Sequence, residues 1–177
     1  MIKFNFGCGK NKLEGWANYD SEIDIAKPLP FLDGYADFIL AEHVVEHVDY
    51  YSALSFFKEC HRILKPGGIV RICVPSIENI LKRGDEAYFR FASKWGPSAD
   101  ARGAMHAILY AHGHKAAWTD SLLEASLFFA GFKNLTKCEP HFSDHEEMED
   151  VEGHHRIIGD KFNAIESCIV EGEADHG

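Results

Sequence analysis

Short apolar runs of strand length alternate along this chain with longer stretches of helical period. Lys3–Phe6, Trp16–Tyr19, a minimal Ile23–Ile25, Ala36–Ala41, Ile69–Val74, Phe132–Cys138 and Ala164–Val170 read as strands. The clearest helix is Tyr50–Leu64, where Ala53, Phe56, Phe57, Cys60, Ile63 and Leu64 recur at the spacing of one buried face. Asp49 is placed to cap its start, and Lys65-Pro66-Gly67-Gly68 to stop it. A second helix, Asp120–Ala130, carries Leu122, Ala125 and Phe129 on one face and ends at Gly131. Between them Ile77–Trp118 is less regular, with helical pieces near Glu86–Lys94 and Asp100–Tyr110 broken by Gly96-Pro97. The acidic, His-rich stretch His141–His155 reads as a loop. Alternation of this kind predicts an α/β sheet.

Composition narrows the classes. At 177 residues the chain predicts a single domain, 1–177, able to bury its own core. A net charge of −10 argues against nucleic acid or an anionic membrane as the main partner. No apolar run is long enough to span a bilayer, and Lys3 and Asn5 interrupt the first apolar stretch, so no signal peptide is expected. The five cysteines (8, 60, 73, 138 and 168) are odd in number and set among apolar neighbours. They read as reduced core thiols of a cytoplasmic protein.

The chemistry concentrates at Phe4-Asn5-Phe6-Gly7-Cys8-Gly9 and at Asp20, which ends the next strand. Glycines let a backbone approach a ligand closely, and an acid at the tip of the second strand can accept both ribose hydroxyls. The pattern predicts a nucleoside-bearing cofactor. A dinucleotide fingerprint would need glycine at position 12, which is Lys12, and an acid farther along the chain. A P-loop sequence is absent.

Further residues fall in line. They are Gly15-Trp16-Ala17-Asn18-Tyr19-Asp20, Asp24 with Leu29-Pro30-Phe31, Ala36-Asp37-Phe38-Ile39, His43-Val44-Val45-Glu46-His47, Arg62-Ile63-Leu64-Lys65-Pro66-Gly67-Gly68 and Ala130-Gly131-Phe132, then the terminal Glu166–Val170 strand. With the glycine turn, this series resembles the class I S-adenosylmethionine (SAM)-dependent methyltransferases, and among them a short type-11-like branch. The resemblance implies a Rossmann-like sheet of order 3-2-1-4-5-7-6 with strand 7 antiparallel, and SAM as cofactor. It places Gly7, Cys8, Gly9, Asp20, Asp24, Glu42 and His43 at the cofactor. Asn11 replaces the usual third glycine, and only Lys10–Glu14 separate the turn from Gly15, so the first helix should be a single turn or absent. The DPPY-like tetrad used on amides and nucleobases is replaced by Ala41-Glu42-His43-Val44.

His43 lies where the resemblance faces residues toward the transferred methyl, which makes it the candidate base. Its order with Glu46 and His47 is that of an inverted zincin motif, but the strand before it and the surrounding pattern argue against a metal. Glu46 and His47 are instead expected to orient the turn by hydrogen bonding. The spacings of His106, His112, His114, His141, His145, His154 and His155 fit no standard zinc set. The reading is a SAM-dependent methyltransferase acting on a small-molecule or sugar-type acceptor. Ile77–Trp118 would be its acceptor-side cover. The alternative is a catalytically silent SAM-binding module that completes a partner enzyme.

Overall fold

In the computed structural model, which describes residues 1–177, six strands form one sheet. They are β1 (Lys3–Phe6), β2 (Ala17–Tyr19), β3 (Ala36–Glu42), β4 (Leu64–Pro75), β5 (Phe132–Cys138) and β6 (Ser167–Ala174), in the order β2-β1-β3-β4-β6-β5. The first four pair in parallel, whereas β6 runs antiparallel to both β4 and β5. This is the expected order with its third strand missing. Ile23–Ile25 is a turn, closed by Ile23 N–H on the Asp20 carbonyl and Lys27 N–H on that of Asp24. Ile25 and Leu29 are buried from that turn into the core, so the segment serves as an anchored loop and not as a ladder.

Alternation along β3 decides what covers each face. Ile39 and Ala41 join the larger core, which holds Phe56, Phe57 and Ile63 of α1 (Tyr50–Ile63). Leu40 points the other way, to Ile69, Cys73 and Ile169 beneath Met148 and Val151. Asp49 caps α1 as expected, accepting from the backbone N–H of Tyr51 and Ser52. The chain then passes straight into β4, which begins at Leu64 and includes the glycine pair; Gly67, at φ +78°, absorbs the change of direction beside the β3 bulge.

Two helices depart from expectation. In α5 (Asp120–Ala130) the buried face is Leu123, Leu127 and Ala130, not Leu122, Ala125 and Phe129. Packing on α1 rotates the helix by one residue, leaving Phe128 and Phe129 exposed. The last strand starts at Ser167, because Asp160–Glu166 forms a helix (α7) whose Ile165 packs under the cover.

The segment 77–118, expected as a cover, is more ordered than its sequence suggests. It holds α2 (Ile77–Arg83), α3 (Glu86–Ala92) and α4 (Ala101–Tyr110), which share a small core of Ile80, Tyr88, Ala104 and Ile108. Ser76, Asp85 and Asp100 each cap one of these helices. His141–His155 is largely irregular, with a 3-10 turn at Glu146–Met148, and leads into the single-turn helix α6 (His155–Ile158). No helix is long and apolar enough to cross a membrane.

Candidate active site

β1 ends in the glycine turn, and no helix forms between it and β2, as the short spacing demands. Cys8 N–H donates to the Tyr19 carbonyl and Asn11 N–H to that of Cys8, which folds the turn over the strand ends. Gly7 sits at φ +68°, and a Cβ there would lie 2.5 Å from Val44 Cγ2. That position must be glycine for the His43–Val44 segment to approach. Gly9, at φ +46°, has nothing within 4 Å of its would-be Cβ, which leaves an open cradle beside the backbone. The polar cleft there has a volume of about 360 Å³, and Gly7, Cys8, Gly9, Glu42 and His43 all line it.

The expected site residues fare differently. Asp20 is exposed and does not line the cleft itself, but its Oδ1 accepts from the N–H of Gly9, which does, at 3.4 Å. Asp24 is exposed, accepts from Ala26 N–H and pairs with Lys27 at 3.0 Å; that lysine holds its carboxyl below the ordinary range. It is not among the residues lining the cleft. The Cys8 thiol is buried, and burial followed by the Asp20 charge pushes its pKa up, so it is a wall and not a nucleophile. Glu42 is spoken for: its carboxylate accepts from the N–H groups of Gly153 (2.8 Å) and His154 (2.9 Å). Asn11, in place of the third glycine, donates to the Val151 carbonyl and accepts from Arg156. These contacts draw the irregular segment across the cleft.

His43 has a left-handed backbone, φ +49°, unusual for a residue with a side chain and maintained by its N–H bond to the Cys73 carbonyl at 2.9 Å. Its Nε2 lies 3.1 Å from Ser167 Oγ, its Nδ1 lies 3.4 Å from Glu46 Oε1, and its ring stacks on His154 at 3.9 Å. Burial opposes charge on this ring, but Glu46, then Glu166 and Glu42, outweigh it and raise its pKa. Burial likewise works against the Glu166 carboxylate, but His154, His43 and the Tyr88 hydroxyl hold it low. Tyr88 donates to Glu166 at 2.8 Å.

A second cavity, of about 280 Å³, opens on the other side of His43 and His154. Its walls include Phe91, Trp95, Ile108 and His114 from residues 77–118, with Glu46 and His47 from the turn after β3. Sequence reasoning missed this meeting of Glu46, His114, His154 and Glu166, which come from four separate stretches. The Glu46 carboxylate is fully buried beside His43 Nδ1, and the backbone carbonyl of Glu46 accepts from Lys115 and Ala116 N–H.

Residues 6–72 match the family model of a methyltransferase domain. Three solved structures overlay nearly the whole chain. A SAM-dependent methyltransferase of Archaeoglobus fulgidus has TM-score 0.61 and 16% identity, over 97% of this chain and 85% of its own. One of Thermotoga maritima has TM-score 0.58 and 18% identity, over 98% and 82%. The third is from a Haloferax volcanii complex of the Trm112 methyltransferase activator with a protein described as a methyltransferase; it has TM-score 0.60 and 13% identity, over 99% and 82%.

The chain has the class I methyltransferase fold.

The methyltransferase domain and its SAM-dependent neighbours imply SAM as the cofactor. The cleft suits it: the cradle at Gly9 is open, the turn's backbone faces it, and a carboxylate stands at the β2 tip. No curated protein sequence matches this methyltransferase-fold chain.

Proposed function

We propose that the protein is a cytoplasmic methyltransferase that uses SAM to methylate a small hydroxyl-bearing molecule, of sugar type, held under the cover. The observation that carries this reading is a pair of cavities meeting at His43 and His154. One lies at the glycine turn, and the other lies between an aromatic cover and a polar wall. Gly7, Cys8, Gly9 and His43 would contact the cofactor, with Asp20 on the ribose and Asp24 near the adenine edge. When bound, SAM supplies an electrophilic methyl group whose departure leaves a neutral sulfide.

The chain's own part is alignment, exclusion of water and management of one proton. Phe91 and Trp95 offer flat apolar surfaces to one face of a ring, and the histidines opposite offer partners to its hydroxyl edge. His43, at the junction, would take the acceptor proton, and the Glu46 carboxylate beside its Nδ1 would offset the charge that the ring then carries. The test is transfer of labelled methyl from SAM across a panel of sugars, phenols and small amines. Labelling of hydroxyl acceptors supports the reading; labelling confined to amines overturns the acceptor class.

A second reading, a SAM-binding module that acts only with a partner, is favoured by the likeness to the Haloferax volcanii chain paired with an activator. In that case the purified chain binds the cofactor yet labels nothing until a partner is added.

A further inference from the structure

We infer that Glu46, His47 and His114 form a binding site for one divalent transition-metal ion on the wall of the acceptor cavity. This departs from the sequence expectation, which set a metal aside. Three groups of potential ligands stand close together in the fold, and they are not equivalent. In the group His141, His155 and Asp160, Asp160 is 79% exposed and His141 Nδ1 already bonds Asp150 at 2.7 Å. In the group His43, His154 and Glu166, the carboxylate is already engaged by the Tyr88 hydroxyl, and His43 Nε2 by Ser167.

The third group is different. The Glu46 carboxylate is 0% exposed; the one donor beside it is His43 Nδ1, 3.4 Å from Oε1, and Oε2 has no hydrogen-bond partner. A buried carboxylate so sparsely supplied with donors is costly, and a bound cation is one way that proteins offset the cost. One ligand atom each from Glu46, His47 and His114 lie within 4.8 Å of one another, and the three residues face the same cavity.

The surroundings support a coordinating role. His114 Nδ1 lies 2.5 Å from the Ile108 carbonyl, an acceptor only, so Nδ1 carries the proton and Nε2 is left with a free lone pair. A ligating histidine commonly has this arrangement, its second nitrogen donating to a carbonyl. His43 Nδ1 stands 3.4 Å from Glu46 Oε1, which orients the carboxylate from behind. Backbone fixes the distance between the two strands of ligands, because Lys115 and Ala116 N–H both donate to the Glu46 carbonyl.

Two imidazoles and one carboxylate make a donor set suited to zinc and its neighbours, with a remaining position open to the cavity. That position would accept water or a lone pair of the acceptor.

The protein, dialysed against EDTA, is titrated with Co²⁺ and then Zn²⁺, reading cobalt's visible bands and their loss on zinc displacement. One ion per chain is expected. His47→Ala and His114→Ala should each weaken binding by about 100-fold or more, since even an outer-shell loss costs 10–100-fold. Both should keep the wild-type circular dichroism and melting temperature of the apo protein. Glu46→Gln is the third ligand variant; if it fails to fold, the two histidine variants carry the test. His141→Ala and His154→Ala, one from each competing group, should bind as wild type. No stoichiometric binding, or binding that survives His114→Ala but is lost in His154→Ala or His141→Ala, overturns the assignment.

Discussion

The Arg71 guanidinium, in the middle of β4, donates through Nε to Glu152 Oε1 at 2.5 Å, tying the sheet to a residue just ahead of His154. Both side chains are buried. Arg71 also donates to Glu171, its cross-strand neighbour on β6, and to the Phe142 carbonyl. The irregular segment that carries Gly153 and His154 over the cleft is therefore held at a charge buried in the sheet. Breaking a buried pair leaves the surviving charge uncompensated, so Glu152→Gln should cost roughly 3–5 kcal/mol. Urea unfolding of the variant measures it. A loss below about 1 kcal/mol, the range of exposed pairs, would mean that Glu171 alone satisfies the arginine.

S-Adenosylhomocysteine should raise the melting temperature in a dose-dependent way, since a ligand that binds only the native state stabilises it. Asp20→Ala removes the carboxylate that accepts from Gly9 N–H. It should weaken binding by about 1.5–3 kcal/mol, the range for hydrogen bonds to a charged group. Calorimetric titration reads the difference. Stabilisation by NADH with none by S-adenosylhomocysteine would remove SAM from the account.

His43→Gln retains a polar side chain of similar reach between the two cavities but cannot usefully receive a proton. With a hydroxyl acceptor, kcat should fall about 10²–10⁴-fold, the usual share of general base catalysis, at nearly unchanged cofactor affinity. Wild-type turnover would leave His43 as a structural residue. Loss of cofactor binding would move it wholly into the cofactor cleft.

The cover joins the rest of the chain through a small core of its own and through α7. Limited proteolysis of the free protein should cut first between Gly96 and Asp100, outside the helices of the cover, and cofactor with acceptor should slow that cut. First cleavage in the turns that join sheet strands, indifferent to ligand, would argue against a moving cover.

Acid sensitivity should appear at Glu59. Arg62 bonds its carboxylate at 2.8 Å and Leu29 N–H adds a bond at 2.7 Å, which lowers its pKa from an ordinary 4.5. A carboxyl depressed in the folded state contributes stability above its unfolded pKa and loses it as pH falls through the folded value. The stability gap between wild type and Glu59→Gln should therefore be widest near about pH 6 and shrink toward about pH 3. A gap independent of pH would mean that Arg62 stabilises through packing and not through charge.

Much of the fold was readable because its signals are local. The short apolar run in Ala36–Ala41 and the one-sided spacing in Tyr50–Leu64 are local signals, and both elements formed where expected. The cap at Asp49, the stop at Gly131 and the missing first helix follow from neighbours in sequence. Ile23–Ile25 failed as a strand because a three-residue β2 offers a short edge, and Ile25 gains more by entering the core. The exposed face of α5 could not be read either, since Leu122–Leu123 and Leu127–Ala130 put apolar residues on several sides and only α1 selects among them.

By itself the sequence determined the glycine turn, the carboxylate after the second strand and the order of the elements, which together name the cofactor class. Tertiary structure alone decided that Glu46, His114, His154 and Glu166 come together. Their proximity arises from backbone bonds such as Lys115 N–H to the Glu46 carbonyl, and from Gly153 and His154 N–H captured by Glu42. No periodicity encodes such contacts, because they link segments remote in the chain whose approach is set by the packed sheet between them.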